Sequence, residues 1–137
     1  MPASLTFNAD LRSLKQIRRS IIDAASCIGA RRDCIDDIVY AANELITNTI
    51  TYGYSGQVGP IWIEVWNEGD TLLVSIRDAA PAFNPLSVPL PRHLFAHGQQ
   101  RAGGLGLFLS RSLLDDLQYR TLPHGGNELI LIKRHAF

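Results

Sequence analysis

Glu44 and Asn48 stand four residues apart in AANELITNTITYGY, so a helix there carries both on one face. An asparagine carbonyl is a neutral oxygen ligand for a hard cation such as Mg²⁺, which takes one or two protein oxygens and completes its octahedron with phosphates and waters. A glutamate one turn away can accept a proton from an attacking hydroxyl or orient a water. Asn43, Thr47 and Thr51 widen the same polar face. A solvated helix surface reads the same way, although asparagine is a poor helix former and hints at a task.

Two further segments complement this pair. Asp78 closes the otherwise apolar run TLLVSIRD. It is either a turn former in RDAAPAF or an acceptor for the exocyclic amine of adenine, which distinguishes adenine from the carbonyl-bearing guanine. Residues 101–108 read RAGGLGLF and lead into the helix-like LFLSRSLLDDL. Glycine costs a helix about 1 kcal/mol relative to alanine, so Gly103, Gly104 and Gly106 mark either a tight turn under a helix or a phosphate cradle at its N-terminus. Each segment is a weak signal alone; their order along one chain is more specific.

The elements that must position these groups follow from periodicity. SLTFNA (4–9) has strand character and Asp10 can cap the helix after it. Leu14, Ile17, Ile21, Ile22 and Ala25 recur at helical spacing until Gly29. Asp33 can cap a second helix with Ile35, Ile38, Val39, Ala42, Leu45, Ile46 and Ile50 on its apolar side, ending near the glycine-rich TYGYSGQVGP. PIWIEVWN (60–67) and TLLVSIRD (71–78) alternate as strands around the turn signal NEGD. Trp62 and Trp66 then face away from Ile61, Ile63 and Val65, as partner-facing aromatics or as ordinary packing. The pattern fails from Ala79 to Ala102, which holds four of the seven prolines; a loop this long is a lid, a binding segment or disordered. A helix to about Leu117 and strands at 117–122 and 127–135, joined by PHGG, complete the chain. Antiparallel hairpins with helices on one face make an α+β two-layer sandwich, its sheet mixed but mainly antiparallel.

The totals bound the function. A chain of 137 residues, 46% of them apolar, suits one compact domain over residues 1–137. Thirteen basic and thirteen acidic residues cancel, so no global field favours nucleic acid or anionic lipid. The N-terminus has no signal-peptide core, and no run of about 18 apolar residues could span a bilayer. A cytoplasmic protein without nucleic-acid or membrane partners is expected. Cys27 and Cys34 lack metal-ligand spacing and are expected to be buried, reduced thiols; the four histidines show no ligand spacing either.

The motifs together resemble the GHKL ATPase superfamily, which includes histidine kinases, type II topoisomerases and heat-shock chaperones. ELITNTITYGY resembles its N-box, RDAAPAFNP its first glycine box, and RAGGLGLFLSRSLLDDLQYR its second glycine box and helix. HGGNELILIKR is similar to the closing hairpin of one branch, the anti-sigma-factor serine/threonine kinases of bacteria. The resemblance covers nearly the whole chain. It implies ATP and Mg²⁺ as cofactors, Glu44 as general base, Asn48 as Mg²⁺ ligand, and Asp78 as the adenine reader with Ala80 and Ala82 beside it. It implies phosphate contacts from Gly103, Gly104, Leu105, Gly106, Leu107 and Arg101, under an ATP lid at about 84–102 from which Arg92, His93 and His97 can also reach. The implied partners are a STAS-type antagonist, phosphorylated on serine or threonine, and a sigma factor, with the kinase a homodimer.

Three positions depart from the pattern. Ala80 replaces a glycine, and its methyl either crowds adenine or forces the turn out of a positive φ. Asn84 stands for the branch's aspartate and Tyr52 for the N-box histidine, where a tyrosine could flank the nucleotide. No helix bearing a phosphoacceptor histidine fits in the chain, which argues against a two-component sensor. The alternatives are a catalytically silent module that sequesters a sigma factor or other regulator, and an ATP hydrolase or detached histidine-kinase-like domain.

Overall fold

Alternation over 60–67 sends Ile61, Ile63 and Val65 to one face, the returning run 71–78 adds Leu72, Val74 and Ile76 to it, and the sheet is built around this hairpin. The computed structural model describes residues 3–85 and 109–137. In chain order these form β1 (Ala3–Asn8), α1 (Leu14–Cys27), α2 (Arg32–Asn48), β2 (Pro60–Glu68), β3 (Thr71–Asp78), β4 (Asp116–Thr121) and β5 (Asn127–Lys133). The strands lie side by side as β1-β2-β3-β5-β4. All four pairings are antiparallel, so among the described residues the expected mixed sheet is purely antiparallel. The reason is topological. β4 runs in the same direction as β3, but the β4–β5 hairpin folds β5 into the gap between them.

Alternation sends Ile61, Ile63 and Val65 of β2 and Leu72, Val74 and Ile76 of β3 to the helix side, where none is more than 2% exposed. Ile17, Ile21 and Ala25 of α1 and Ile35, Ile38, Ala42, Leu45 and Ile46 of α2 meet them in one apolar core. The three- and four-residue spacing of these side chains is what makes each helix a one-sided wedge. No helix among the described residues is long and apolar enough to cross a membrane.

Local chemistry differs from expectation at four points. Asp10 caps as expected, accepting the Arg12 N–H at 2.8 Å, but the cap opens a 3-10 turn at Leu11–Ser13 that leads into α1. Asp33 lies inside the first turn of α2, not at its cap. Arg31 holds the cap position because its N–H is bound to Ala136 O at 2.6 Å, while its guanidinium pairs with Asp33. Cys34 is buried, whereas Cys27 is exposed at the end of α1; both are free thiols. Helix is described only for residues 109–113, short of Leu117, because Asp116 already opens β4 against Ile132. Lys133 donates to Leu113 O at 2.7 Å and to Asp37 at 3.1 Å, tying that helix end to α2.

No helix of the described residues covers the other sheet face. Trp62 and Trp66 lie there as alternation requires, beside Leu73 and Ile132, each 7% exposed. Glu128 of β5 is buried on this face between two cations. Arg77 of β3 is paired across from it, and Arg120 of β4 donates to its Oε1 at 2.5 Å. Ser75 donates to Glu128 Oε2 at 3.2 Å. Burial by itself raises the Glu128 carboxyl, but the two guanidinium groups outweigh it and hold the group below its ordinary range.

A carboxyl depressed in the folded state stabilises above its unfolded pKa, about 4.3 for glutamate, and the contribution is lost as pH falls through the lower folded value. Glu128→Gln should therefore cost about 1–2 kcal/mol at pH 7, reduced by the partial exposure of both arginines. Urea midpoints should show the wild-type advantage shrinking between about pH 5 and pH 3; an equal gap at both ends would mean the charge of Glu128 contributes nothing.

Candidate functional site

α2 ends at Asn48 and continues as a π-helical turn, Thr49–Gly53. The Tyr54 N–H closes it on Thr49 O at 2.8 Å, and Thr49 Oγ1 turns back to Leu45 O at 3.1 Å. Such widened turns recur at functional sites because they redirect the side chains around them. Here Leu45, Asn48, Thr49 and Gly53 form one wall of a cavity. Asp78, Ala80, Phe83 and Pro85, at and beyond the end of β3, form the opposite wall, and Asn127 and Leu129 of β5 complete it.

Asp78 is the one charged residue in that described lining and is 3% exposed. Its Oδ1 accepts the Ala80 N–H and the Asn127 Nδ2, both at 2.9 Å. Burial pushes the carboxyl above its usual range, and the bonds from Asn127 and Ala80 only partly oppose that. The backbone around it is fixed from three sides. Tyr54 Oη donates to Pro60 O at 2.6 Å and accepts the Ala79 N–H at 2.7 Å; desolvation raises this phenol. The Tyr54 ring lies where a Cβ on Gly59 would come within 2.1 Å of Cε1. Gly126, at φ +98°, packs so closely that a Cβ would stand 2.0 Å from Asp78 O.

Ala80 raised two concerns, and its backbone answers one. The only non-glycine positive φ angles among the described residues are at Ser55 and His135, so Ala80 carries no left-handed strain. Its methyl is buried and faces Gly53, where an added Cβ would lie 3.2 Å from it. Space lost at one wall by Ala80 is matched by a glycine in the other.

The expected residues divide into three groups. Asn48, Asp78 and Ala80 come together in the cavity. Glu44, half-buried one turn earlier on α2, lies outside its lining, as do the exposed Ala82 and Tyr52. Arg101, Gly103, Gly104, Leu105, Gly106 and Leu107, and Arg92, His93 and His97 of the lid, lie outside the described residues. The polar face of α2 is also partly structural: Asn43 accepts from Arg18 of α1 at 2.8 Å, and Thr47 bonds back to Asn43 O at 2.7 Å.

Sequence reasoning missed Tyr54, Gly126 and Asn127. Asn127 had a readable signal, since asparagine is depleted in strands and this one opens the strand-like run NELILI. The cavity suits a flat, mostly apolar ring that offers a hydrogen-bond donor: Leu45, Leu129 and Ala80 supply apolar walls, and Asp78 a buried acceptor. Asn48 adds a neutral oxygen at its edge. Its free volume is about 20 Å³, roughly one water's worth.

A carboxyl raised in the folded state adds stability below its unfolded pKa, about 3.9 for aspartate, and this is lost as pH rises through the higher folded value. Asp78→Asn keeps an oxygen for Ala80 and Asn127 while removing the buried charge. It should melt above wild type at pH 7, the gap closing toward pH 4. A variant less stable at pH 7 than at pH 4, relative to wild type, would mean that the folded state favours the charge.

A model of the histidine kinase-like ATPase domain matches residues 7–133, which take in all but the first few residues of β1 and every later element. The serine-protein kinase RsbW of Listeria innocua is 31% identical over 106 residues, 74% of this chain and 68% of that protein. The anti-sigma F factor of Clostridium kluyveri is 23% identical over 116 residues, 85% of this chain and 82% of that one. Among solved structures, the RsbU and RsbW domains of Rv1364c from Mycobacterium tuberculosis align at a TM-score of 0.68 and 22% identity. That alignment covers 98% of this chain but 32% of the other, and it bears on fold alone. With the Asn48–Asp78 cavity in place and the domain match running from β1 through β5, the chain belongs to the histidine kinase-like ATPase family, in the branch of the anti-sigma-factor serine kinases.

Proposed function

We propose that the chain is an ATP-dependent serine/threonine kinase of a STAS-type antagonist, and that it sequesters a sigma factor when that antagonist is phosphorylated. The observation that carries the reading is the buried Asp78 acceptor in an apolar cavity whose other wall presents Asn48. Mg²⁺·ATP, when bound, supplies the phosphoryl group and the neutralisation of its charge. Asp78 accepts the adenine amine, and Asn48 offers its carbonyl oxygen to the metal. Glu44, one turn back and clear of the cavity lining, takes the proton from the antagonist's hydroxyl. Arg101 and the backbone of Gly103, Gly104, Leu105, Gly106 and Leu107 are assigned to the phosphates, with Ala80 and Ala82 on the adenine side. Phosphorylation adds nearly two negative charges to the antagonist and weakens its docking.

The sheet face that no described helix covers supports a homodimer. Trp62, 37% exposed, and Trp66 lie on it beside the apolar Leu73 and Ile132, and aromatic residues of this kind are enriched at interfaces. The position of Glu44 outside the cavity lining favours a second reading, a catalytically silent module that binds nucleotide and sequesters a regulator.

Calorimetric titration with ATP and Mg²⁺ should show metal-dependent binding that Asn48→Ala weakens at least tenfold. With labelled ATP and a STAS domain, Glu44→Gln should abolish transfer, by a factor on the order of 100 or more, with ATP affinity nearly unchanged. Transfer at the normal rate would remove Glu44 as the base; binding without transfer in wild type would favour the silent module. Trp62→Glu should shift the sedimentation coefficient to that of a monomer, and an unchanged value would move the dimer contact elsewhere.

A further inference from the structure

Asn127 makes more side-chain hydrogen bonds around the cavity than the proposed function uses. It opens β5, is 5% exposed, and stands across from Asp78 on one side and Thr121 on the other. Its Nδ2 donates to Asp78 Oδ1 at 2.9 Å, Pro81 O at 3.1 Å and Ala80 O at 3.3 Å. Its Oδ1 accepts the Phe83 N–H at 3.0 Å and the Tyr119 O–H at 2.6 Å. The Phe83 amide can only donate, which fixes the oxygen end of the side chain and turns the nitrogen toward the carboxylate.

We infer that Asn127 is a positioning residue that sets the base selectivity of this site, by holding Asp78 as a pure acceptor and tying the wall at 80–83 to the sheet. The inference rests on the nucleotide reading above. An acceptor prefers adenine's amine, whereas a protonated carboxyl can donate to guanine's carbonyl. Burial drives Asp78 toward the protonated form. The Asn127 N–H on Oδ1 opposes this, because a donor fixed on that oxygen favours the ionised state. Tyr119 and Tyr54 are the other titratable groups bonded to this assembly, Tyr119 to Asn127 and Tyr54 to the Ala79 amide. Asp78 is the sole charged residue of the described lining, so the amide is opposed by burial and not by a neighbouring charge.

The test measures Mg²⁺·ATP and Mg²⁺·GTP affinities from pH 6 to 8.5 for wild type, Asn127→Leu and Asn127→Asp, each checked for a cooperative melt. Wild type should prefer ATP with a flat pH profile. Asn127→Leu, of similar bulk but without a donor, should lower the ATP-over-GTP ratio about tenfold, the size of one lost charge-assisted hydrogen bond. Asn127→Asp puts a second carboxyl against Asp78, and such a pair holds one proton between them. Near pH 6 that proton can sit on Asp78 and donate to guanine's carbonyl, whereas toward pH 8.5 both carboxyls ionise and Asp78 is a pure acceptor, so the variant should lose the ATP preference near pH 6 and regain it toward pH 8.5. A variant that merely loosens the fold has no reason to recover selectivity as pH rises, so this profile also decides the matter if the leucine variant fails to fold. Wild-type selectivity and a flat profile in Asn127→Asp would overturn the role of Asn127 while leaving nucleotide binding intact. Absence of nucleotide binding by wild type would overturn the nucleotide reading itself, and the selectivity role with it.

Discussion

A buried carboxylate with no cation beside it among the described residues is the constraint around which this end of the molecule is arranged. Asp78 sits at the last position of β3, on the helix-covered face, where its charge has lost most of its water. An isolated buried charge costs several kcal/mol or neutralises itself. Among the described residues, hydrogen bonds from the Ala80 amide and from Asn127 oppose that. Keeping them aligned requires the segment after β3 to turn tightly, and Tyr54, Gly59, Gly126 and Asn127 all serve that turn. Gly126 and Gly59 leave no space for a side chain, so the backbone of the β4–β5 hairpin and the ring of Tyr54 can approach closely.

The same register that pairs Asp78 with Asn127 pairs Arg77 with Glu128 one residue away. Successive side chains of a strand point to opposite faces. One ladder step thus places a buried carboxylate with an amide beneath the helices, and the next places a buried carboxylate with guanidinium groups on the open face. Their proton equilibria move in opposite directions: burial wins at Asp78 and the two cations win at Glu128. A one-residue slip of β5 would exchange their environments and leave both unmatched. The polar pairs therefore define the register as firmly as the apolar alternation does.

Much of this was legible before any coordinates. The alternation at 60–67 and 71–78 located the central hairpin, and Glu44, Asn48 and Asp78 stood out because polar groups interrupt otherwise apolar elements. Local patterns carry that kind of signal. The partners of Asp78 carry none of it. Tyr54 lies 24 residues before it and Asn127 49 residues after it, and their connection exists only through the order β2-β3-β5. The π-helical turn was invisible for a related reason, since Thr49 and Tyr54 look like ordinary helix-end residues until their backbone bonds are traced. Asp33 was misplaced as a cap because the competing bond, from Arg31 to Ala136, spans the chain.

Ala80 shows how a departure from a family pattern is absorbed. Taken alone, a methyl in place of a glycine hydrogen argues for a crowded or strained pocket. Strain is absent because the backbone at this position needs no positive φ. Crowding is limited because the methyl meets Gly53 on the π-helical turn, where an added Cβ would stand only 3.2 Å from it. The two positions form a small–smaller pair across the cavity, and each constrains the other. Restoring glycine at position 80 would open space toward Gly53 and remove a buried methyl from the core, without changing the acceptor at Asp78. The alanine is therefore compatible with a working base pocket. The proposed kinase chemistry is assigned to Glu44 and to residues 101–107, not to this wall.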